Sequence, residues 1–295
     1  MVTVGSILSG TFRFIGNNIR ALLVWSAILF LFSLVMMAMM RPFYEAQIAM
    51  LQQQAGTGPA LPPMGAFLLA MLLGVVVFVV LAAAAFRAVL FPEQSRFAYL
   101  RLGMDELRLL GCVLILLVGF YLLMVVAAIA GAMMMALVAS SRGGSAIFLL
   151  LVGAAMIVLG VWLATRLALA GPMTILRRKI VIGPAWRLTR GHFWQLLGAY
   201  IAIMLILFVA YAGIFLIRMG PAMTDMFHPT DQAAALRVAT AQVSAYTLSL
   251  KTIVVVLVTS LIMGFAHALY AGSVAVATAQ LLDRGGGQRL SEVFE

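Results

Sequence analysis

Two arginines close to the ends of long apolar runs are the side chains best placed for chemistry in this sequence. Arg87 and Arg166 are each followed by a few more apolar residues and then by a proline, Pro92 and Pro172. An arginine at that depth either extends its guanidinium group to the headgroups or, between helices, forms a basic pocket for a lipid phosphate. Extension of the side chain to the headgroups is the simpler interpretation. A site for a lipid phosphate at Arg87 and Arg166 is the functional hypothesis.

A second polar group lies in the last apolar run. Ser260, His267 and Tyr270 share one broad helical face with Gly264 and Ala271. A stripe of small and polar residues is typical of a helix–helix contact with hydrogen bonds across it. A proton relay would need a carboxylate partner, so we interpret the stripe as a packing face.

Carboxylates are absent from the apolar runs, because all nine acidic residues lie outside them. An ionisable group at membrane depth is the usual marker of an ion or proton pathway. Its absence argues against a transporter driven by carboxylates. Asp105 and Glu106, flanked by Arg101 and Arg108, predict ion pairs along a helix rather than a catalytic dyad.

Signatures of enzymes are missing. The chain has no Gly-x-Ser-x-Gly motif, Walker-type loop, His-Glu-x-x-His motif or dinucleotide fingerprint. The single cysteine, Cys112, excludes an intramolecular disulfide and a cysteine-based zinc site. We therefore predict a protein that is not an enzyme.

The composition places these residues in a membrane. Of the 295 residues, 65% are hydrophobic and 9% are charged, whereas a soluble domain carries about 25% charged residues. The surface must therefore face lipid. The net charge of +10 comes without a basic run interleaved with aromatics, so anionic headgroups are the expected partner and nucleic acid is not.

Six apolar runs are long enough to cross a bilayer as helices. The predicted fold is an all-α polytopic transmembrane bundle, forming a single integral membrane domain over residues 1–295. The first run has no cleavage site before Arg41, so we interpret it as a retained span. The predicted spans are 21–40, 64–86, 109–139, 146–165, 194–217 and 250–281.

The distribution of basic residues predicts the orientation. With the N-terminus inside, fourteen of the nineteen lysines and arginines fall on the inner side. The positive-inside rule then places both termini in the cytoplasm, as expected for a multi-pass protein of a bacterial inner membrane.

Methionines are concentrated on the opposite, outer side, where twelve of the twenty fall. Asp225, His228 and Asp231 stand beside some of them at three-residue spacing. Thioethers favour Cu(I), although methionine also fills apolar positions as leucine does. Met-x-x-Met spacings occur at Met36/Met39, Met37/Met40 and Met223/Met226, but the chain has no His-rich tract, and no metal or cofactor is predicted.

The sequence divides into three similar units, residues 1–93, 94–180 and 181–295. Each unit opens with an amphipathic stretch, at 4–20, 97–108 and 186–197, followed by a span out and a span back. Such stretches predict helices in the interface plane, with the apolar side in lipid. The basic residues expected to contact headgroups are Arg13, Arg20, Arg101, Arg108, Arg187 and Arg190.

The junctions between these stretches and the spans resemble one another. They begin at Gly16, Gly103 and Gly191, and each leads into a pair of leucines. The middle copy has one extra residue. Repeats of this kind usually imply pseudo-symmetry around a shared centre.

The segment Ala185–Gly198, with sequence AWRLTRGHFWQLLG, resembles a motif of uncharacterised bacterial six-span membrane proteins. That group is similar to the membrane domain preceding the catalytic domain of some glycerophosphodiester phosphodiesterases. The catalytic domain has no counterpart here, so the resemblance implies an anchoring, scaffolding or lipid-facing role and no active site.

Two functions remain after these considerations. The first is a non-enzymatic role in the membrane, binding lipid or scaffolding other membrane proteins, as the basic stretches and the two arginines favour. The alternative is a transporter or channel for a small solute or Cu(I).

Overall fold

The computed structural model describes residues 2–52, 64–138, 144–219, 237–238, 240–241, 243–244 and 246–283. These residues form helices and connecting turns, without a strand among them. The helices are α1 (Val4–Asn17), α2 (Ile19–Gln52), α3 (Met64–Leu90), α4 (Met104–Val138), α5 (Gly144–Leu167), α6 (Ala170–Arg177), α7 (Gly183–Leu188), α8 (Phe193–Met219) and α9 (Leu250–Asp283).

Six stretches of helix are long and apolar enough to cross a membrane, which confirms the predicted all-α bundle. They match the six predicted runs, with ends that differ by up to thirteen residues. The stretches are Ile19–Ala46, Met64–Leu90, Arg96–Met134, Leu150–Arg177, Phe193–Leu216 and Leu250–Asp283.

Helix α9 forms the centre of the bundle. It packs against α1, α2, α3 and α8, and every residue from Ala266 to Thr278 except Tyr270 is buried. Most of these residues are small, so neighbouring backbones approach closely. Between lipid-solvated helices, close van der Waals packing replaces the hydrophobic effect as the source of association.

Helix α1 packs lengthwise against the last turns of α9 and runs antiparallel to them. The Ser6 hydroxyl donates to Gln280 Oε1 at 3.0 Å, Gly10 faces Val276, and the Phe14 ring lies on Gly272. The predicted amphipathic helix is therefore present as α1, and one of its faces packs on protein, whereas Phe12 and Ile19 of the predicted apolar side are exposed. We call this end of the molecule the α1 end.

The second amphipathic stretch does not form the predicted helix. Phe97, Ala98 and Tyr99 have positive φ angles of 51°, 54° and 62°, and α4 begins only at Met104. Left-handed backbone costs roughly 1–2 kcal/mol per residue. Long-range bonds hold it here, including one from the buried Trp25 indole N–H to the Ala98 carbonyl at 3.0 Å.

The third stretch is divided into two helices. Helix α7 has six residues, and α8 starts at Phe193 after a turn in which Gly191 adopts a φ of 82°. Glycine adopts this conformation without the steric cost that a Cβ atom imposes. The predicted continuous helix over 186–197 is therefore wrong, and the turn sets Trp186 and Phe193 on different elements.

Substitution of Gly272 tests the seating of α1. In Gly272→Ala the added methyl would lie 2.7 Å from Phe14 Cε1. We expect the free energy of unfolding to fall by about 1–2 kcal/mol, even after the gain in helix propensity. Thermal unfolding in detergent measures this.

The matched control is Gly5→Ala on the exposed side of α1, where nothing lies within 4 Å of the new methyl. This change should be neutral or slightly stabilising. Adding Phe14→Leu to Gly272→Ala should restore part of the loss. Wild-type stability of Gly272→Ala alone would contradict the proposed contact.

Candidate anion site at the α1 end of the bundle

Arg87, in the last turn of α3, is buried in a network of internal partners. Its Nη2 atom lies 2.5 Å from Glu106 Oε1 and 3.9 Å from Asp105 Oδ2. Its Nη1 atom donates to the Tyr99 carbonyl at 3.3 Å. The other Glu106 oxygen accepts the Gly103 N–H at 3.0 Å. The charge of Arg87 is therefore compensated within the chain.

The two acidic residues at the start of α4 have different partners. Asp105 pairs along the helix with Arg108 at 3.0 Å, on a partly exposed surface. Glu106 instead reaches across to α3 and is buried with Arg87. Ion pairing along the helix thus accounts for one carboxylate only, since the contact between Glu106 and Arg87 depends on how α3 and α4 pack.

Arg166, in the last turn of α5, is surrounded by aromatic rings instead. Its guanidinium carbon lies 5.8 Å from the centre of the Trp186 ring and 5.5 Å from that of Phe193. Nη1 reaches Thr189 Oγ1 at 3.5 Å, at the limit of a hydrogen bond. The Nε atom is buried without a hydrogen-bond partner among the described residues. Cation–π contacts orient this charge without neutralising it.

Further basic groups lie on the segments that follow α5 in the chain. Helix α6 ends at Arg177, and α7 packs against both α5 and α6. The positive charge of Arg187 in α7 acts on Arg177. Arg177 Nε and His192 Nδ1 are also buried without hydrogen-bond partners in the described part of the chain. We call Arg166, Arg177, Arg187, Thr189 and His192 the Arg166 cluster.

No internal counter-charge meets the Arg166 cluster within the described part of the chain. Among the residues that the structure describes, the ion pairs involve Arg41, Arg87 and Arg108, and none reaches the cluster. Unpartnered guanidinium N–H groups in one place are suited to an anion. Guanidinium geometry matches phosphate and carboxylate oxygens in particular.

The similar junctions explain why the two arginines differ. After Gly103 the second unit supplies Asp105 and Glu106, which pair with Arg87. After Gly191 the third unit supplies His192, Phe193 and Trp194, and the Phe193 ring takes the place of a carboxylate beside Arg166. The sequence prediction treated the two arginines alike, but the structure gives them different partners and does not join them in one pocket.

The remaining basic residues of the predicted set lie on the surface. Arg108 is partly exposed and paired with Asp105. The other five side chains are exposed at the α1 end, on the described elements: Arg13, Arg20, Arg101, Arg187 and Arg190.

The residues of the predicted polar stripe on α9 differ in burial. Ser260 is buried, but its hydroxyl donates to the Val256 carbonyl of its own helix at 2.8 Å. His267 is buried against the edge of the Phe78 ring, with ring centres 4.6 Å apart. Tyr270 is 46% exposed. Among the described residues Ser260 bonds within its own helix, so the predicted hydrogen bond across the contact is not seen at that residue.

Sequence reasoning gave no role to several residues around Arg166. It assigned Trp186 and Phe193 to a lipid-facing side, and it did not single out Thr189 or His192. Helical spacing could not have found them, because the turn at Gly191 separates Trp186 and Thr189 from Phe193. The possible copper ligands Asp225, His228 and Asp231 lie outside the described residues.

Comparison with known proteins adds no relative. No protein-family model matches the chain, and no curated protein or solved structure gives a match. The resemblance to the six-span bacterial group stays a prediction from the sequence.

Breaking the buried ion pair tests its contribution to stability. We expect Arg87→Met to lower the free energy of unfolding by about 3–5 kcal/mol, because it leaves Glu106 buried without a partner. The double variant Arg87→Met, Glu106→Leu should recover most of the loss, since an apolar pair of similar volume carries no desolvation penalty. Thermal unfolding in detergent gives both values.

The matched control is Arg108→Met, which breaks the partly exposed pair with Asp105. Pairs of this kind contribute at most about 1 kcal/mol. If Arg87→Met cost no more than Arg108→Met, the Arg87–Glu106 contact would not be the buried ion pair described.

Proposed function

We propose that this protein is a non-enzymatic membrane protein that binds anionic phospholipid at the Arg166 cluster. The observation that carries the proposal is the contrast between the two arginines. Arg87 is neutralised by Glu106, whereas Arg166 is held by Trp186 and Phe193 without a carboxylate in the described structure. A bound phosphate would supply the missing negative charge.

The surroundings of the cluster suit a lipid phosphate. Trp194, the second residue of α8, is 76% exposed, and Trp162 on α5 is 38% exposed. Exposed tryptophans at the end of a span are typical of the headgroup region, where the ring spans the boundary between hydrocarbon and water. The lipid-facing side chains of α8 beyond Trp194 offer an apolar surface for the acyl chains.

The proposed location follows from the basic residues. The positive-inside rule assigns the α1 end, and with it the Arg166 cluster, to the cytoplasmic side of a bacterial inner membrane. The cytoplasmic leaflet there carries anionic headgroups. The resemblance to the membrane domain of glycerophosphodiester phosphodiesterases supports a lipid-facing or scaffolding role, because that domain accompanies an enzyme of lipid-derived substrates.

Substitution of Arg166 tests the proposal. The purified protein is titrated with phosphatidylglycerol against a background of phosphatidylcholine, and bound lipid is counted by native mass spectrometry. We expect Arg166→Ala to weaken phosphatidylglycerol binding about fivefold, since one basic residue near an anionic surface contributes about 1 kcal/mol. Arg166→Lys should retain part of the affinity.

The matched control is Arg41→Ala, which removes an arginine that lies in the distal part of α2 and is already paired with Glu45, and which should leave binding close to the wild-type value. A parallel titration with inorganic phosphate separates the two sources of the anion. Displacement of phosphatidylglycerol by millimolar phosphate would show that the phosphate alone is recognised. Binding that is equal in wild type and Arg166→Ala would refute the site.

A further inference from the structure

A small chamber lies between helices at the middle of α9. Residues of α2, α3, α8 and α9 line a volume of about 260 Å³ that is partly open to the surface, where Tyr211 and Tyr270 are exposed. Its walls are mostly apolar, and its polar side chains are Tyr211, His267 and Tyr270. His267 is roughly 25 Å from either end of its 34-residue helix, given a rise of about 1.5 Å per residue.

His267 carries a polar atom without a partner. The imidazole forms a hydrogen bond with the backbone of Leu81, while its Nε2 atom is buried without a hydrogen-bond partner in the described part of the structure. A buried unpaired polar atom is destabilising, and hydrocarbon offers no water to offset this. A ligand in the chamber that the imidazole lines would supply a partner.

Tyr200 gives a second, independent observation. Its hydroxyl is also buried and unpartnered among the described residues, and Tyr200 interacts electrostatically with Tyr270. Tyr200 precedes Leu207 and Tyr211 by seven and eleven residues, so the three lie on one face of α8. Leu207 and Tyr211 line the chamber. Tyr200 is not itself among the lining residues, but its hydroxyl is a second buried atom without a described partner on the face of α8 that reaches the chamber.

A larger apolar cavity adjoins the chamber. It has a volume of about 690 Å³, is lined by residues of α3, α4, α5, α6 and α9, and shares Phe78 and Tyr270 with the chamber. Ligand sites in proteins commonly measure about 300–1,000 Å³. The two spaces together offer a polar end and a long apolar compartment.

We propose that these two spaces bind one uncharged lipid with a free hydroxyl head, the head at His267 and the chain in the larger cavity. No lysine, arginine or carboxylate is among the residues that line either space, and a charged head would lose its hydration without a counter-charge. A hydroxyl both donates and accepts, so it can satisfy an imidazole nitrogen and a tyrosine hydroxyl together.

The test uses a photoactivatable hexadecanol that carries a diazirine in its chain, added to the purified full-length protein in detergent. Labelled peptides are mapped, and unlabelled hexadecanol and hexadecane compete. We expect hexadecanol to compete more strongly than hexadecane in the wild type. In His267→Leu the competition by hexadecanol should weaken roughly threefold to tenfold, as the loss of one hydrogen bond predicts, while His267→Gln should retain part of the preference.

Further variants distinguish this site from the lipid-facing surface. Leu116→Trp fills the larger cavity, which Leu116 lines, and should abolish labelling there. Tyr121→Phe removes a hydroxyl from an exposed position of α4 and should change nothing. Size-exclusion profiles identify variants that fail to fold, and Leu116→Trp and His267→Gln provide readings that do not depend on His267→Leu.

Several outcomes would overturn the proposal. These are equal competition by hexadecane and hexadecanol in the wild type, an undiminished alcohol preference in His267→Leu, and labelling that survives Leu116→Trp. Leu163, Ala164 and Leu167 of α5 line the larger cavity, whereas Arg166 contacts Trp186 and Phe193 instead. Arg166→Ala should therefore leave this labelling unchanged, and His267→Leu should leave phosphatidylglycerol binding unchanged.

Discussion

Close packing along α9 determines how the other helices are arranged. Lipid tails are as apolar as the helix surfaces, so the hydrophobic effect does not drive helices in a membrane together. Association requires backbones to come near enough for dispersion to exceed that of the lipid. The buried glycine, alanine and serine residues between Gly264 and Ala277 permit this approach. Ser26 of α2 packs against Gly264 and Phe14 of α1 packs against Gly272, so both helices contact α9 closely. Larger residues here would separate α1 and α2 from the centre.

Charge is handled differently at two related positions of the bundle. The second unit has carboxylates after Gly103, and Glu106 pairs with the buried Arg87. Arg87 and Trp25 in turn donate hydrogen bonds to the Tyr99 and Ala98 carbonyls of the strained left-handed turn. The third unit places aromatic residues after its glycine, and the charge of Arg166 is only oriented by their rings. One arginine therefore stabilises the fold, and the other remains available to an anion.

The two proposed sites differ in depth and in chemistry. The Arg166 cluster lies at the α1 end, where water and headgroups are accessible, and its basic groups suit a phosphate. The chamber at His267 lies at the middle of a long helix, where a charge would be costly, and its neutral imidazole and phenol groups suit a hydroxyl. A protein with both could hold a charged lipid at its boundary and an uncharged one inside.

The sequence by itself determined that the chain lies in lipid and crosses it with six helices. A run of about twenty apolar residues in lipid can pair all its backbone N–H and C=O groups only as a helix. The sequence also singled out Arg87 and Arg166. It did not reveal that Phe97–Tyr99 turn left-handed or that α1 packs on α9, since Trp25, Ser6 and Gln280 act there from distant parts of the chain. Only the tertiary structure decided which arginine meets a carboxylate, because helical periodicity specifies which residues share a face and not which helix that face touches.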